Sequence, residues 1–319
     1  MDNLRLAYYK AKRGKETKAD VYSYANDLHP NLLKLRNSLL CGQICLGEYH
    51  YFTIYEPKQR VICAAPFADR ILHHAIMNVC HPYFERFQIF DSYASRKDKG
   101  QYAALQRAYT FNKAYKWFCK LDIRKYFDSI VHNVLLQLLC QKFKDEKLLA
   151  LFSKIIDSYT NSPCKGLPIG NLTSQYFANF YLAHADHYIK EDLKVKAYVR
   201  YMDDMVFWGK DNEALCQTRD RFAGFIETKL SLEVKPCCLH QTTQGLPFLG
   251  YTLFPVYTRL NKQSKKRFLR KIDDYNTKLE EGSWSQQEYA SHVVPLIAFT
   301  KHASCSALRA KQRAWKETG

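Results

Sequence analysis

Tyr198-Val199-Arg200-Tyr201-Met202-Asp203-Asp204-Met205-Val206-Phe207-Trp208 sets two adjacent carboxylates between runs of apolar and aromatic residues. The flanks are rich in Val, Tyr, Phe and Trp and read as the two strands of a β-hairpin. Its tip lacks the Asn-Gly or Asp-Gly pair that a tight hairpin turn prefers. Two neighbouring acids at the end of an apolar hairpin repel each other, and a bound cation removes that conflict. A metal site and a merely acidic surface turn both fit this stretch, so the choice falls to the rest of the chain.

A second acid stands at the end of another apolar run, Trp117-Phe118-Cys119-Lys120-Leu121-Asp122-Ile123. This reads as a buried strand whose last residues carry a carboxylate, which needs a cation or hydrogen-bond donors. Lys120 and Arg124 are the nearby candidates for pairing with Asp122; metal ligation is the other reading. Phe127 follows within Lys125-Tyr126-Phe127-Asp128-Ser129-Ile130. Between this strand and the hairpin lies Gly166-Leu167-Pro168-Ile169-Gly170-Asn171-Leu172-Thr173-Ser174-Gln175, opening a helix expected over Tyr176 to Ile189. Two glycines and a proline before a helix start let backbone approach a ligand closely. An ordinary entry loop capped by Asn171, Thr173 or Ser174 is the alternative.

Composition bounds the partner. The chain has 319 residues, long for a single core, so two or three lobes are expected. Net charge is +17, from 48 basic against 31 acidic residues, an excess that marks a polyanion partner. No basic amphipathic helix with a bulky apolar face points to a membrane surface. No apolar run approaches the roughly 20 residues of a membrane span, and no signal-peptide core follows Met1-Asp2-Asn3-Leu4. A soluble, cytoplasmic protein is the expectation. The 11 cysteines include no C-x-x-C pair and read as reduced thiols. A zinc cluster of Cys63, His73, His74, Cys80 and His81 fits no common zinc module.

The remaining pattern is read outward from these motifs. Leu4 to about Leu46 is expected to be helical, with a basic cluster at Lys10, Lys12, Arg13, Lys15 and Lys18. Tyr51 to Ala65 reads as two strands about a turn at Glu56-Pro57-Lys58-Gln59. Lys58 and Arg60 lie two apart on one strand face, an arrangement that suits a triphosphate. Pro66 to Phe87 returns to helix. Asp91 to Gly100 is polar, basic and aromatic, a candidate nucleic-acid contact loop, and Gln101 to Asn112 a further helix. Val134 to Tyr159 is expected as one helical stretch, Leu215 to Leu230 as a helix, and Leu232 to Lys235 as a short strand. Gly245 to Leu253 reads as a tight turn and strand. From Arg259 onward basic helices carry Lys262, Lys265, Lys266, Arg267, Arg270 and Lys271, then Lys301, Arg309, Lys311 and Arg313. A lobe boundary is expected near Val256.

Taken in order, these motifs resemble those of the reverse transcriptases, and within them the enzymes of diversity-generating retroelements. Asp122 with Phe127 is similar to the family's first catalytic motif, Gly166 to Gln175 to its template-positioning motif, Tyr201-Met202-Asp203-Asp204 to its YxDD box, and Gly245 to Tyr251 to its primer-grip turn. Two departures carry the subfamily resemblance: most reverse transcriptases have Gln where this chain has Ile169, and Pro where it has Gln175. Nothing resembling the maturase or endonuclease regions of group II intron proteins follows the last helices, and no V-T-G element of the retron enzymes stands near the C-terminus.

The resemblance implies an α+β, right-hand polymerase architecture. Fingers would span 1–115 with 135–165 packing beside them, a palm of antiparallel sheet with helices 116–256, and a helical thumb 257–319. It implies that Asp122, Asp203 and Asp204, with the Ile123 carbonyl, hold two Mg²⁺ ions, for which Mn²⁺ can substitute. Carboxylate oxygens suit such hard cations, and no nearby Cys or His favours zinc. Lys58 and Arg60 would clamp the incoming dNTP. Phe127 would lie under its sugar and exclude a 2′-hydroxyl, with a plain core aromatic as the alternative. Ile169, Gly170 and Gln175 would border the nascent pair, and Phe248, Leu249, Gly250 and Tyr251 would grip the primer. The implied activity is RNA-directed DNA polymerisation, copying a template-repeat RNA into cDNA with low fidelity at adenines to diversify a variable gene. The implied partners are template RNA, the cDNA primer and product, dNTPs and a small, basic, oligomeric accessory variability protein. The host would be bacterial, archaeal or a phage. A group II-like, retron or CRISPR-associated reverse transcriptase, and a non-catalytic RNA-binding scaffold, are the competing readings.

Overall fold

The computed structural model describes residues 1–55, 59–237 and 239–306; Lys58, Arg309, Lys311 and Arg313 lie outside the described residues. The N-terminal stretch expected as one helix is three: α1 (Asp2–Lys12), α2 (Ala19–Asn26) and α3 (Leu28–Leu40). The first break follows from Gly14, whose φ of +69° is a left-handed conformation that ends a helix without steric cost. Strands β1 (His50–Ile54) and β2 (Arg60–Ala64) form an antiparallel hairpin with Phe52 opposite Ile62. Then come α4 (Phe67–Phe87), α5 (Gln101–Ala114), β3 (Trp117–Leu121) and the single turn α6 (Tyr126–Ser129).

The stretch 134–159 is also divided, into α7 (His132–Lys142) and α8 (Glu146–Asp157). Asp145 starts the second helix, its side chain accepting from the Leu148 N–H at 2.9 Å. Helix α9 (Leu172–His187) begins four residues before its expected start and ends in a π-helical turn, Tyr188–Asp192. Strands β4 (Tyr198–Tyr201) and β5 (Asp204–Gly209) form the predicted hairpin, followed by α10 (Asn212–Lys229). Leu232–Lys235 makes one isolated antiparallel bridge, Ile123 to Val234, where a strand was expected. The chain closes with β6 (Leu239–Gln241), β7 (Leu246–Phe248), β8 (Tyr251–Leu253), β9 (Thr258–Leu260), α11 (Lys262–Glu280) and α12 (Gln286–Thr300).

Two units emerge. The first comprises Met1–Arg96, Asp122–Lys194 and Arg221–Lys235. Its N-terminal helices pack on α4 around Leu4, Ala7, Tyr8, Val21, Leu32, Phe67 and Ile71. The far end of α4 meets α9 through Phe84, whose ring touches Phe143, Phe152, Phe177 and Phe180. The second unit comprises Lys97–Leu121, Val195–Asp220 and the described residues from Pro236 onward. Its main sheet is antiparallel, in the order β4-β5-β3-β6, and β7-β8-β9 form a second sheet. Helix α5 packs on β4 and β5, and α11 pairs with α12 around Phe268, Ile272, Tyr289 and Val293. Among the described residues no helix is long and apolar enough to cross a membrane.

Candidate active site

In the second unit Tyr201 stands opposite Asp204, which leaves Met202 and Asp203 as the whole hairpin loop. Met202 takes φ +53°, the left-handed conformation that a two-residue turn demands and that Asn or Gly adopts more easily. The turn therefore forms without its favoured residues because the strands around it are fixed. Met205, Val206, Phe207 and Trp208 are all buried, and β3 is paired along β5 from Trp117 opposite Gly209 to Leu121 opposite Met205. Arg200, fully buried, donates from a guanidinium nitrogen to the Met202 carbonyl at 3.2 Å and holds the loop from beneath. Sequence reasoning missed this residue, since both faces of β4 are covered and alternation gives no cue there. Burial pushes the Tyr201 phenol above its ordinary value, so it stays protonated beside the acids. Asp204 is not left to repel its neighbour: Lys120 Nζ lies 2.8 Å from its Oδ1.

In the first unit Asp122 pairs with neither Lys120 nor Arg124 but with a cation from a distant segment. The bridge between Ile123 and Val234 carries hydrogen bonds from Arg124 N to Glu233 O and from Lys235 N to Asp122 O, both 2.9 Å. Side chains follow the same register. Lys235 Nζ donates to Asp122 Oδ2 at 2.6 Å and Arg124 Nε lies 2.8 Å from Glu233 Oε1. Lys120 and Arg124, the cations beside Asp122 in sequence, are thus engaged with Asp204 and Glu233 instead. The cue for Lys235 was available: Asp122 and Arg124, then Glu233 and Lys235, alternate with opposite signs, as antiparallel neighbours should.

The glycine loop knits the rest of the first unit's candidates together. Leu167 N donates to Phe127 O at 2.8 Å, and Cys63 N to Ile169 O at 2.8 Å. The loop thus joins the turn that carries Phe127 to strand β2, on which Arg60 is exposed. Gly170 takes φ +122°, and a Cβ there would lie 2.9 Å from Ile62 Cγ2 and 3.2 Å from Cys63 O. Asn171 occupies the cap position of α9 without capping it, its amide donating to Tyr49 Oη at 3.2 Å. Half-buried Gln175 accepts from Ser95 Oγ at 3.2 Å, which ties the Asp91–Gly100 loop to this motif. Arg96, in the loop read as a candidate nucleic-acid contact, is engaged internally by Glu85 and the carbonyls of Ile89 and Ser92.

In the second unit Leu249 and Gly250 form a two-residue turn, both with positive φ (+48° and +89°), between paired Phe248 and Tyr251. Phe248 and Tyr251 are buried, and the Tyr251 hydroxyl donates to Phe299 O at 2.6 Å. Their side chains anchor the turn, whose Leu249 and Gly250 are partly exposed. Between α11 and α12 a cleft of about 320 Å³ is lined by Arg267, Lys271, Phe268, Tyr275 and His292. Among the described residues no group of three or more His, Cys, Asp or Glu side chains is assembled to hold a metal ion. The cluster weighed for zinc is used otherwise, His81 Nδ1 lying 3.0 Å from Tyr176 Oη, while burial lowers His73 to about 4.

The family described as reverse transcriptase (RNA-dependent DNA polymerase) matches residues 56–253, more than half of the chain. The chain belongs to the reverse transcriptase family. The matched span holds Asp122, the glycine loop, the Tyr201–Asp204 hairpin and the Gly245–Tyr251 turn. The chain is 26% identical over 266 residues to the group II intron-encoded protein LtrA of Lactococcus lactis, covering 61% of this chain and 44% of that protein. It is 30% identical over 132 residues to an uncharacterized 91 kDa protein in the cob intron of Schizosaccharomyces pombe, covering 40% of this chain and 16% of that one. It therefore spans less than half the length of these relatives. The structure of apo telomerase from Candida tropicalis superposes with a TM-score of 0.54 at 13% identity, over 84% of this chain and 61% of that one. That likeness concerns the fold, the α+β right-hand polymerase architecture of reverse transcriptases.

Proposed function

We propose that the chain is an RNA-directed DNA polymerase that copies a template-repeat RNA into cDNA with low fidelity at template adenines, diversifying a variable gene together with a small basic accessory protein. The observation that carries the subfamily reading is the loop Ile169-Gly170-Asn171-Leu172-Thr173-Ser174-Gln175, tied to β2 through Ile169 O and to the Asp91–Gly100 loop through Gln175. A group II-like enzyme is the second reading, favoured by the likeness to LtrA.

In this reading Asp122, Asp203 and Asp204, with the Ile123 carbonyl, hold two divalent cations. Their hard oxygen donors fit Mg²⁺ or Mn²⁺. Bound there, the cations would lower the pKa of a primer 3′-hydroxyl and neutralise the triphosphate. The chain's own residues support this: β3 ends opposite Met205, one residue past the hairpin acids, and Asp122 is the next residue of the chain. Lys235 and Lys120 neutralise Asp122 and Asp204, and each must release its carboxylate for a cation to be taken. Lys235→Met should accordingly lower the Mg²⁺ concentration for half-maximal extension by about two- to fivefold, the scale of one partly exposed ion pair. A metal titration of primer extension reads it, and an unchanged midpoint removes the competition. Lys58 and Arg60 would take the triphosphate, Phe127 would select against a 2′-hydroxyl, and Leu249 and Gly250 would present the primer end.

The test is extension of a DNA primer on an RNA template with dNTPs and Mg²⁺, run with and without the accessory protein encoded beside the chain. Loss of extension under both conditions rejects the polymerase reading in favour of an RNA-binding scaffold. The subfamily reading has its own test. Gln can hydrogen-bond near a nascent pair whereas Ile offers only apolar contact, so discrimination falls when polar constraint is absent. Ile169→Gln should reduce errors opposite template adenines by about 10-fold, the equivalent of one hydrogen bond's discrimination, while extension is retained. Sequencing cDNA from both proteins decides, and identical error spectra would sink the idea.

A further inference from the structure

The second unit contains a sulfur cluster that the polymerase chemistry does not use. Cys119, buried in the middle of β3, stands opposite Phe207 on one side and Leu239 on the other. Its Sγ lies 3.9 Å from Sγ of Cys237, which is only half-buried. Beside them, on α10, Arg219 donates to Cys216 Sγ at 2.9 Å and also pairs with Asp220. Two sulfurs in contact, one enclosed and one reachable, with a guanidinium nearby, form the arrangement in which one thiol reacts and the other resolves.

We propose that Cys237 is a peroxide-reactive thiolate and that Cys119 resolves its oxidation product as a Cys119–Cys237 disulfide. The two thiols are already unequal. Cys237 is held below the ordinary thiol value, first by the hydrogen bond from Cys119 and then by the Arg219 charge, with Asp220 and burial opposing. Cys119 is pushed up by the same hydrogen bond and by burial, so it keeps its proton and donates. The Cys237 thiolate attacks one oxygen of a hydroperoxide; the O–O bond breaks, the other oxygen leaves as hydroxide or alkoxide and is protonated, and Cys237 becomes a sulfenic acid. The Cys119 sulfur then attacks Sγ of Cys237. The S–O bond breaks, and the departing hydroxyl takes the Cys119 proton and leaves as water. Two thiols lose two electrons to one peroxide. The sulfurs close from 3.9 Å to the roughly 2.05 Å of a disulfide by side-chain motion. The product would tether β3, three residues before Asp122, to the segment that begins two residues after Lys235.

The test uses the full chain, reduced, desalted and given one equivalent of hydrogen peroxide, with thiols trapped over time and peptides mapped by mass. The cross-linked Cys119–Cys237 peptide should accumulate about tenfold faster than thiols are lost at exposed Cys41, Cys45, Cys140 and Cys164, because the attacking thiolate and its partner are preassembled. In Cys119→Ser the product should become a dimedone-trapped sulfenic acid at Cys237, and Arg219→Gln should slow both reactions. Oxidation of Cys237 at the rate of the exposed thiols, or its capture by Cys238 instead, overturns the proposal. The wild-type map stands without either variant, so a misfolded substitution does not protect the idea.

Discussion

Asp203→Asn should reduce RNA-templated primer extension by about 10³-fold or more, with the hairpin still folded. The amide has the carboxylate's shape, and buried Met205, Val206, Phe207 and Trp208 and the register of β3 along β5 hold the hairpin. In the proposed reading, what the substitution removes is a charged ligand to a catalytic cation. A catalytic cation is worth several kcal/mol of transition-state stabilisation, and each roughly 1.4 kcal/mol is tenfold in rate. Asp122→Asn should behave alike; it loses the ion pair to Lys235, an exposed contact worth about 0.2–1 kcal/mol. Single-nucleotide incorporation measured under saturating primer–template and dNTP separates the chemical step from binding. Residual rates within tenfold of the parent would remove these carboxylates from the reaction.

Gly170→Ala is expected to cost about 2–6 kcal/mol, from a positive φ that L residues resist and from overpacking, each on the order of 1–3 kcal/mol. The added methyl would stand 2.9 Å from Ile62 Cγ2 and 3.2 Å from the Cys63 carbonyl. Ile62 can turn aside; the carbonyl cannot, because the Cys63 N–H is tied to Ile169 O. Relief therefore comes by parting the loop from β2, which displaces Arg60 relative to Phe127. Denaturant unfolding should show the loss, and the KM for dNTP should rise among molecules that remain folded. Gly42→Ala supplies the control, since Gly42 has φ +69° but nothing within 4 Å of a built Cβ, and only the backbone contribution of about 1 kcal/mol applies. Equal losses at the two glycines would mean that the contact with β2 carries no load.

What the residues announced and what they concealed separate along physical lines. The strands of the hairpin and β3 were legible because short apolar runs ending in acids leave few alternatives. The turn between Tyr201 and Asp204 was not, because Met202 holds a conformation its own chemistry disfavours and the surrounding sheet imposes. The glycine loop was legible from Gly166 and Gly170, and its partners were not, since hydrogen bonds to Cys63 and Phe127 join residues far apart in the chain. The break between α7 and α8 was written locally: Asp145 followed by Glu146 is a helix start that the leucine periodicity on either side obscured. Lys235 on Asp122 and Cys237 against Cys119 depend on strand register, which a single sequence carries only as complementary charges or as nothing at all.

The strand order β4-β5-β3-β6 also governs how this chain reaches its native state. Trp117, Phe118 and Cys119 form the centre of the sheet, and their partners, Phe207 to Gly209 and Leu239 to Gln241, are made long after them. During synthesis β3 emerges with both edges open and apolar, while the segment that forms α6 to α9 is added behind it. Loop closure over such separations is slow, and an open apolar strand is what aggregates or recruits a chaperone. The strand that precedes Asp122 is thus secured only when partners from far along the chain arrive.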